Sequence, residues 1–171
     1  MSGRHLVLVG LMGAGKTTVG EECARRLGRP FVDTDDLVVA AAGRSVAELW
    51  EVEGEAGFRA REQAAIADVC ASPTPLVVAC GGGAVLDPEN RRVLRAAGCV
   101  VWLDAPADEL AGRLVCDGTR PLLAGADRAA TLTRLGRQRA DAYAAVAHAR
   151  VDTGQRSVAE VAGTVLEVYP R

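Results

Sequence analysis

Short runs of apolar and β-branched residues alternate along the chain with longer segments in which Ala, Leu and Arg recur at helical period. That alternation predicts βαβ units around a parallel sheet whose strands are covered on both faces. The expected strands are His5 to Gly10, Pro30 to Asp33, Leu76 to Ala79, Cys99 to Leu103 and Ala149 to Asp152. Helices fill the gaps. The first is expected to start at Lys16 and to stop at Gly28, a residue suited to the left-handed position after a helix end. Ser45-Val46-Ala47-Glu48 and Ser157-Val158-Ala159-Glu160 each match a capping box, in which Ser and Glu satisfy free amides at a helix start. Asp87-Pro88-Glu89 reads as a cap, a first-turn proline and a favourable anion, with Gly98 as the stop.

Two stretches break this rhythm. From Asp35 to Cys70 the chain is too long for one crossover and holds two or three short helices interrupted by Gly43, Gly54 and Gly57, so a small insertion is expected beside the sheet. Near Asp117 to Asp127, Gly118, Arg120, Pro121 and Gly125 fall between helical stretches, a composition that suits a mobile lid. No repeat, low-complexity tract or linker divides the 171 residues, so one domain is expected over 1–171, with the insertion at about 34–62 and the lid at about 115–127.

Composition narrows the functional classes. A net charge of -2 argues against a general nucleic-acid binder. The apolar run Leu6 to Val9 is far too short to span a bilayer and lacks the flanks of a secretory signal. Five cysteines without a C-x-x-C pair suggest neither a disulfide framework nor a zinc site, and fit a reducing cytoplasm. His5 and His148 are not spaced as metal ligands. Among the 20 basic residues, Lys16 is the only lysine. G- and C-rich coding accounts for the arginine excess, but not for the place of the exception.

That place is Gly10-Leu11-Met12-Gly13-Ala14-Gly15-Lys16-Thr17, which fits G-x-x-x-x-G-K-[ST] between an apolar strand and a helix. Its glycines let successive amides point into one anion-sized hollow, and the following helix adds its positive end. Gly13, Ala14, Gly15, Lys16, Thr17 and Thr18 are therefore the expected ATP-binding residues. Lys16 supplies a compact charge to the β and γ phosphates, and the Thr17 hydroxyl is placed to ligate Mg²⁺. The fold class that follows is α/β, a three-layer P-loop NTPase fold with a five-stranded parallel sheet flanked by helices.

Asp33-Thr34-Asp35 closes the second strand at the sheet edge where the phosphate loop also lies. Extended alternation would send Asp33 and Asp35 to one side, one toward Mg²⁺ and the other toward an acceptor hydroxyl; the blander reading is a turn and a helix cap. Arg59 is either a solvated helix residue or an anion clamp. Gly81-Gly82-Gly83 at a strand end is costly in chain entropy unless the backbone must approach something closely. Arg120 sits in the expected lid and Arg139 on the helix after it.

The phosphate loop, Asp33-Thr34-Asp35, Phe58-Arg59-Ala60-Arg61-Glu62, Gly81-Gly82-Gly83, Arg120-Pro121-Leu122-Leu123 and the Arg139 to Tyr143 stretch occur in the order and spacing of shikimate kinases, and the chain resembles that family from about Leu6 to Arg156. The resemblance implies transfer of the γ-phosphate of ATP to the 3-hydroxyl of shikimate, with Mg²⁺ as cofactor. It implies that Asp33 contacts the Mg²⁺ shell and that Asp35 holds the shikimate hydroxyls and orients or deprotonates the attacking one. It also implies that Arg59 and Arg139 bind the carboxylate, that Gly81 and Gly82 bring amides to the substrate, and that Arg120 closes onto the transferring phosphate. Arg113 and the Asp152 to Arg156 loop match the family's adenine region, and Glu62 the residue that orients the arginines. Cys80 departs from the small or hydroxyl residue expected before the glycines. A kinase of gluconate or of a nucleoside monophosphate, and a silent nucleotide sensor, are the competing readings; a cytoplasmic monomer without nucleic-acid or membrane partners is expected.

Overall fold

The computed structural model describes residues 4–114 and 127–170, so the expected lid and its Arg120 lie outside the described residues. The strands are β1 (His5–Val9), β2 (Phe31–Asp33), β3 (Val77–Ala79), β4 (Gly98–Asp104) and β5 (Ala149–Asp152), each within one residue of the expected bounds. They form one parallel sheet in the order β2-β3-β1-β4-β5. Every residue of β1 is buried, as a central strand covered on both faces requires.

The helices are α1 (Lys16–Leu27), α2 (Thr34–Ala42), α3 (Val46–Cys70), α4 (Pro88–Ala97), α5 (Ala107–Arg113), α6 (Arg128–Val146) and α7 (Val158–Val168). Their ends follow the sequence chemistry. Gly28 takes the left-handed cap at φ 63°, Ser45 and Ser157 complete reciprocal capping boxes with Glu48 and Glu160, and the Asp87 carboxylate accepts from the Glu89 and Asn90 amides. α1 packs on α7, while α4 packs on α3 and α6, so separate helix layers cover the sheet. No described helix is long and apolar enough to cross a membrane.

The segment between β2 and β3 holds α2, ended by Gly43, and α3, the expected run of two or three helices. α3 is continuous except at Gly54, whose backbone (φ 71°, ψ -178°) leaves the helical region and kinks the axis. Gly57 interrupts nothing and lies inside the helix. α2 and the two sides of the kink in α3 share a small apolar cluster of their own, Val38, Leu49 and Phe58, beside the main core. Beyond the kink, the second half of α3 runs back to the sheet.

Candidate active site

Because all five strands are parallel, the loops that leave β1, β2 and β3 open at the same sheet edge. There they line one cleft of about 600 Å³. The phosphate loop, Asp33, Asp35, Arg59, Glu62, the three glycines, Arg113 and Arg139 all face it. Segments more than a hundred residues apart in sequence thus share one site.

At one end, Gly15 caps α1 in the left-handed conformation (φ 92°), which turns the amides of the loop inward ahead of the helix dipole. Lys16 Nζ donates to the carbonyls of Gly10 and Leu11, at 2.9 Å each. Those bonds hold the ammonium across the hollow. The Thr17 hydroxyl donates to Asp33 Oδ2 at 3.1 Å. A hydroxyl and a carboxylate side by side beneath a phosphate site are the hard oxygen donors that Mg²⁺ takes, and they fit it.

Asp33 also settles how the next turn is built. Its Oδ1 accepts from the Asp35 amide at 2.9 Å, so the chain leaves the extended form at Asp33 and α2 starts at Thr34. The expected alternation of Asp33 and Asp35 along a strand is therefore corrected: Asp35 is a first-turn helical residue. Both carboxylates still reach the cleft, because Asp33 caps with one oxygen and faces Thr17 with the other. The cap reading holds, and it takes neither carboxylate away from the cleft.

At the other end lies a dense charged cluster. Asp35 Oδ1, Arg59 Nε and Glu62 Oε1 are buried without a hydrogen-bond partner among the described residues. Unpaired buried polar atoms of this kind are expensive unless a ligand satisfies them. Arg59 Nη1 donates to Glu62 Oε2 at 2.7 Å, and its guanidinium lies against the Phe58 and Trp50 rings. Glu62 is wholly buried and Arg139 is 3% exposed. Burial, helped by the neighbouring Asp33 and Glu62 charges, raises the Asp35 pKa to about 6 against the pull of Lys16 and Arg59. Burial likewise raises that of Glu62. A carboxylate titrating near neutrality is suited to receive a proton from a hydroxyl.

The three glycines are explained by what surrounds them. A Cβ on Gly81 would come within 2.5 Å of Glu62 Oε1 and 2.7 Å of Asp35 Oδ1. One on Gly82 would come within 3.2 Å of Arg139 Nη1, and one on Gly83 within 2.5 Å of the Arg59 Cζ. The loop is bare because four charged side chains press on it. The Gly81 amide donates to Thr34 Oγ1 at 3.2 Å, so it braces the start of α2.

Arg113 lies between the phosphate loop and the loop after β5, donating to Gly13 O, Thr153 Oγ1 and Thr153 O. Arg156 is not brought to the cleft; its guanidinium donates to Asp152 O, Glu160 O and Thr164 Oγ1 against α7. Cys80 is fully buried, and its thiol is pushed well above its ordinary range by that burial. Sequence reasoning missed the apolar wall of Val46, Trp50 and Phe58. Phe58 stands beside Arg59 in sequence, but only the kink at Gly54 turns Val46 and Trp50 toward the same wall.

A model of the family described as shikimate kinase matches residues 12–170. The shikimate kinase of Symbiobacterium thermophilum is 50% identical over 165 residues, spanning 95% of this chain and 94% of the relative. The solved shikimate kinase of Acinetobacter baumannii in complex with shikimate superposes with a TM-score of 0.93 at 37% identity, covering 96% of this chain and 92% of that one. A gluconokinase from Sinorhizobium meliloti reaches a TM-score of 0.63 at 23% identity over 98% of this chain and 91% of its own, which shows a shared fold alone.

Proposed function

The chain belongs to the shikimate kinase family, and from that premise we propose that it transfers the γ-phosphate of ATP to the 3-hydroxyl of shikimate, giving shikimate 3-phosphate and ADP. The observation that carries the reading is the buried, unpartnered Asp35 Oδ1 set among Arg59, Glu62 and Arg139, at the other end of the cleft from Lys16. The cluster offers an acceptor for a hydroxyl proton and cations for a carboxylate. A hydroxy acid uses both, whereas a nucleoside monophosphate has no carboxylate to offer the cations.

Each residue has a distinct task. The loop amides from Gly13 to Thr18 hold the phosphates of ATP, and Lys16 moves from the Gly10 and Leu11 carbonyls to the β and γ oxygens. Thr17 and Asp33 would hold Mg²⁺, which supplies charge neutralisation on the phosphates. Arg59, steadied by Glu62, and Arg139 take the substrate carboxylate through charge-assisted hydrogen bonds, on the order of 1.5–3 kcal/mol each. Asp35 aligns the 3-hydroxyl. As the hydroxyl oxygen bonds to the γ phosphorus, the bond to the bridging oxygen breaks, ADP departs with that electron pair, and the hydroxyl proton passes to Asp35. Arg120, outside the described residues, is assigned to the transferring phosphate, Arg113 borders the adenine, and Gly83 keeps the floor open for the carboxylate clamp. The reading extends to a monomer working in the cytoplasm, a reducing compartment that suits the four free cysteines among the described residues.

The test is ADP release with a panel of acceptors. Shikimate should stimulate it strongly, and gluconate and nucleoside monophosphates should not. No stimulation by shikimate at millimolar concentration would sink the proposal.

A further inference from the structure

One buried hydroxyl on α6 has no place in the transfer chemistry. Tyr143 is 1% exposed, and its hydroxyl donates to the carbonyl of Gly82 at 2.5 Å. It lies one helical turn after Arg139, so both side chains project from the same face of α6 onto the same glycine. Arg139 stands over the Gly82 Cα, and Tyr143 grips its carbonyl. The Tyr143 ring is itself held, stacked on Trp102 at 5.4 Å and 25°. Trp102 carries the Arg150 guanidinium 4.6 Å above its ring, and Arg150 pairs with Asp104.

The glycine loop has a second pin. The Gly81 amide donates to the hydroxyl of Thr34, a fully buried residue that immediately precedes Asp35. Two adjacent glycines, with no side chains to anchor them and the greatest backbone freedom of any residue, are therefore fixed from two directions. One pin leads to the helix that bears Asp35, and the other to the helix that bears Arg139.

We infer that the Tyr143 and Thr34 hydroxyls are positioning residues that lock the glycine loop between Asp35 and Arg139, and so set the spacing of the hydroxyl-binding and carboxylate-binding ends of the acceptor site. The inference deepens the proposed function and rests on it for its kinetic consequence. Tyr143 touches no reacting atom. Burial pushes its phenol up to about 12, so it remains a donor across the working pH range. Removing the hydroxyl leaves a buried carbonyl unpaired and lets the loop settle elsewhere. A shift well under 1 Å is enough to misalign a transfer.

Tyr143→Phe keeps the ring stack and removes the hydroxyl, with its bond to Gly82 and its contact with the Arg139 side chain. It should lower kcat/KM for shikimate roughly five- to twenty-fold while the ATP KM stays within about two-fold. Thr34→Val should act in the same direction, and Thr34→Ser, which keeps the hydroxyl, should restore most of the loss. If Tyr143→Phe does not fold, the Thr34 pair carries the test alone. Hydrogen exchange of the 80–86 segment should quicken in Tyr143→Phe and Thr34→Val without a matching change in the phosphate loop. That measurement needs no acceptor, so it separates a failure of this inference from a wild-type protein that does not use shikimate. Unchanged exchange at 80–86 overturns the pinning. Equal losses toward ATP and shikimate would make the hydroxyls merely structural and overturn it as well.

Discussion

Replacing Gly83 by alanine separates the shape of the acceptor site from the stability of the fold. The backbone at Gly83 (φ -96°, ψ -3°) accepts any L-residue, so the substitution brings no conformational strain. The added methyl, however, would lie 2.5 Å from Arg59 Cζ and 2.7 Å from Nη1. One of the two must yield, and the flexible end of the arginine moves more cheaply than the loop. Glu55, 3.6 Å from Arg59 Nη2 on the outer side, offers the displaced guanidinium a place to go. The fold therefore survives while the carboxylate clamp loses one arm. One charge-assisted hydrogen bond is worth about 1.5–3 kcal/mol, which converts to roughly a 10- to 150-fold rise in the shikimate KM. The ATP KM should stay within about two-fold, since nothing at the phosphate end moves. Steady-state kinetics with each substrate varied in turn, beside a thermal melt, reads both quantities. An unchanged shikimate KM in a folded Gly83→Ala protein would refute the reasoning, because it would mean that the Arg59 position is irrelevant to acceptor binding.

Four further outcomes follow from the same geometry. Lys16→Ala should abolish turnover, measured as ADP release. Arg139→Ala should raise the shikimate KM by about ten-fold or more with ATP affinity nearly intact; equal damage to both would show that Arg139 serves the whole cleft. Asp35 is ionised in the fold only above about pH 6, so kcat/KM for shikimate should fall below that pH. Its folded pKa is raised, so the fold carries a cost on the order of 2–3 kcal/mol that is absent below the unfolded value near 4 and complete above pH 6. Asp35→Asn should accordingly melt higher than wild type at pH 8 while losing activity, and an equal or lower melting temperature there would contradict the assignment. His5 and His148 each accept a backbone amide at Nδ1, from Leu76 and Val100 at 3.0 Å, and burial lowers both pKa values. The unfolded chain then binds protons that the fold excludes, so stability is complete above about pH 6.5 and declines as pH falls through and below it. In Asp35→Asn, where the opposing Asp35 contribution is gone, a melting temperature flat from pH 7.5 to 5.5 would argue against this.

Features that depend on contiguous residues were legible in the sequence. The phosphate loop, both capping boxes and the positions of the strands along the chain need only local hydrogen bonds and hydrophobic period, and each is where the pattern puts it. The glycine triplet was legible as a close approach but not as to what approaches, since Asp35, Glu62, Arg59 and Arg139 arrive from three different helices. Local competition decided two other points. The Asp33 carboxylate capped the Asp35 amide and started a helix at Thr34, before the expected alternation could reach Asp35, and of the two glycines expected to break α3 only Gly54 took the non-helical backbone. Arg156 fell in a stretch that matches the family's adenine region, yet its guanidinium is taken up by one acceptor at the end of β5 and two on α7. Nothing in linear spacing ties Tyr143 to Gly82, 61 residues away.

The bare glycine loop also constrains how this site could change its substrate. A floor shaped by missing atoms cannot be retuned by small steps, because every added carbon there collides with charges that the reaction needs. The opposite wall is less constrained: Val46, Trp50 and Phe58 belong to a small cluster apart from the main core, although the Trp50 and Phe58 rings also back the Arg59 guanidinium. Acceptor choice in this protein is therefore freer to evolve from that side, and a library aimed at a new cyclic acid begins at position 46, with aromatic rings kept at 50 and 58.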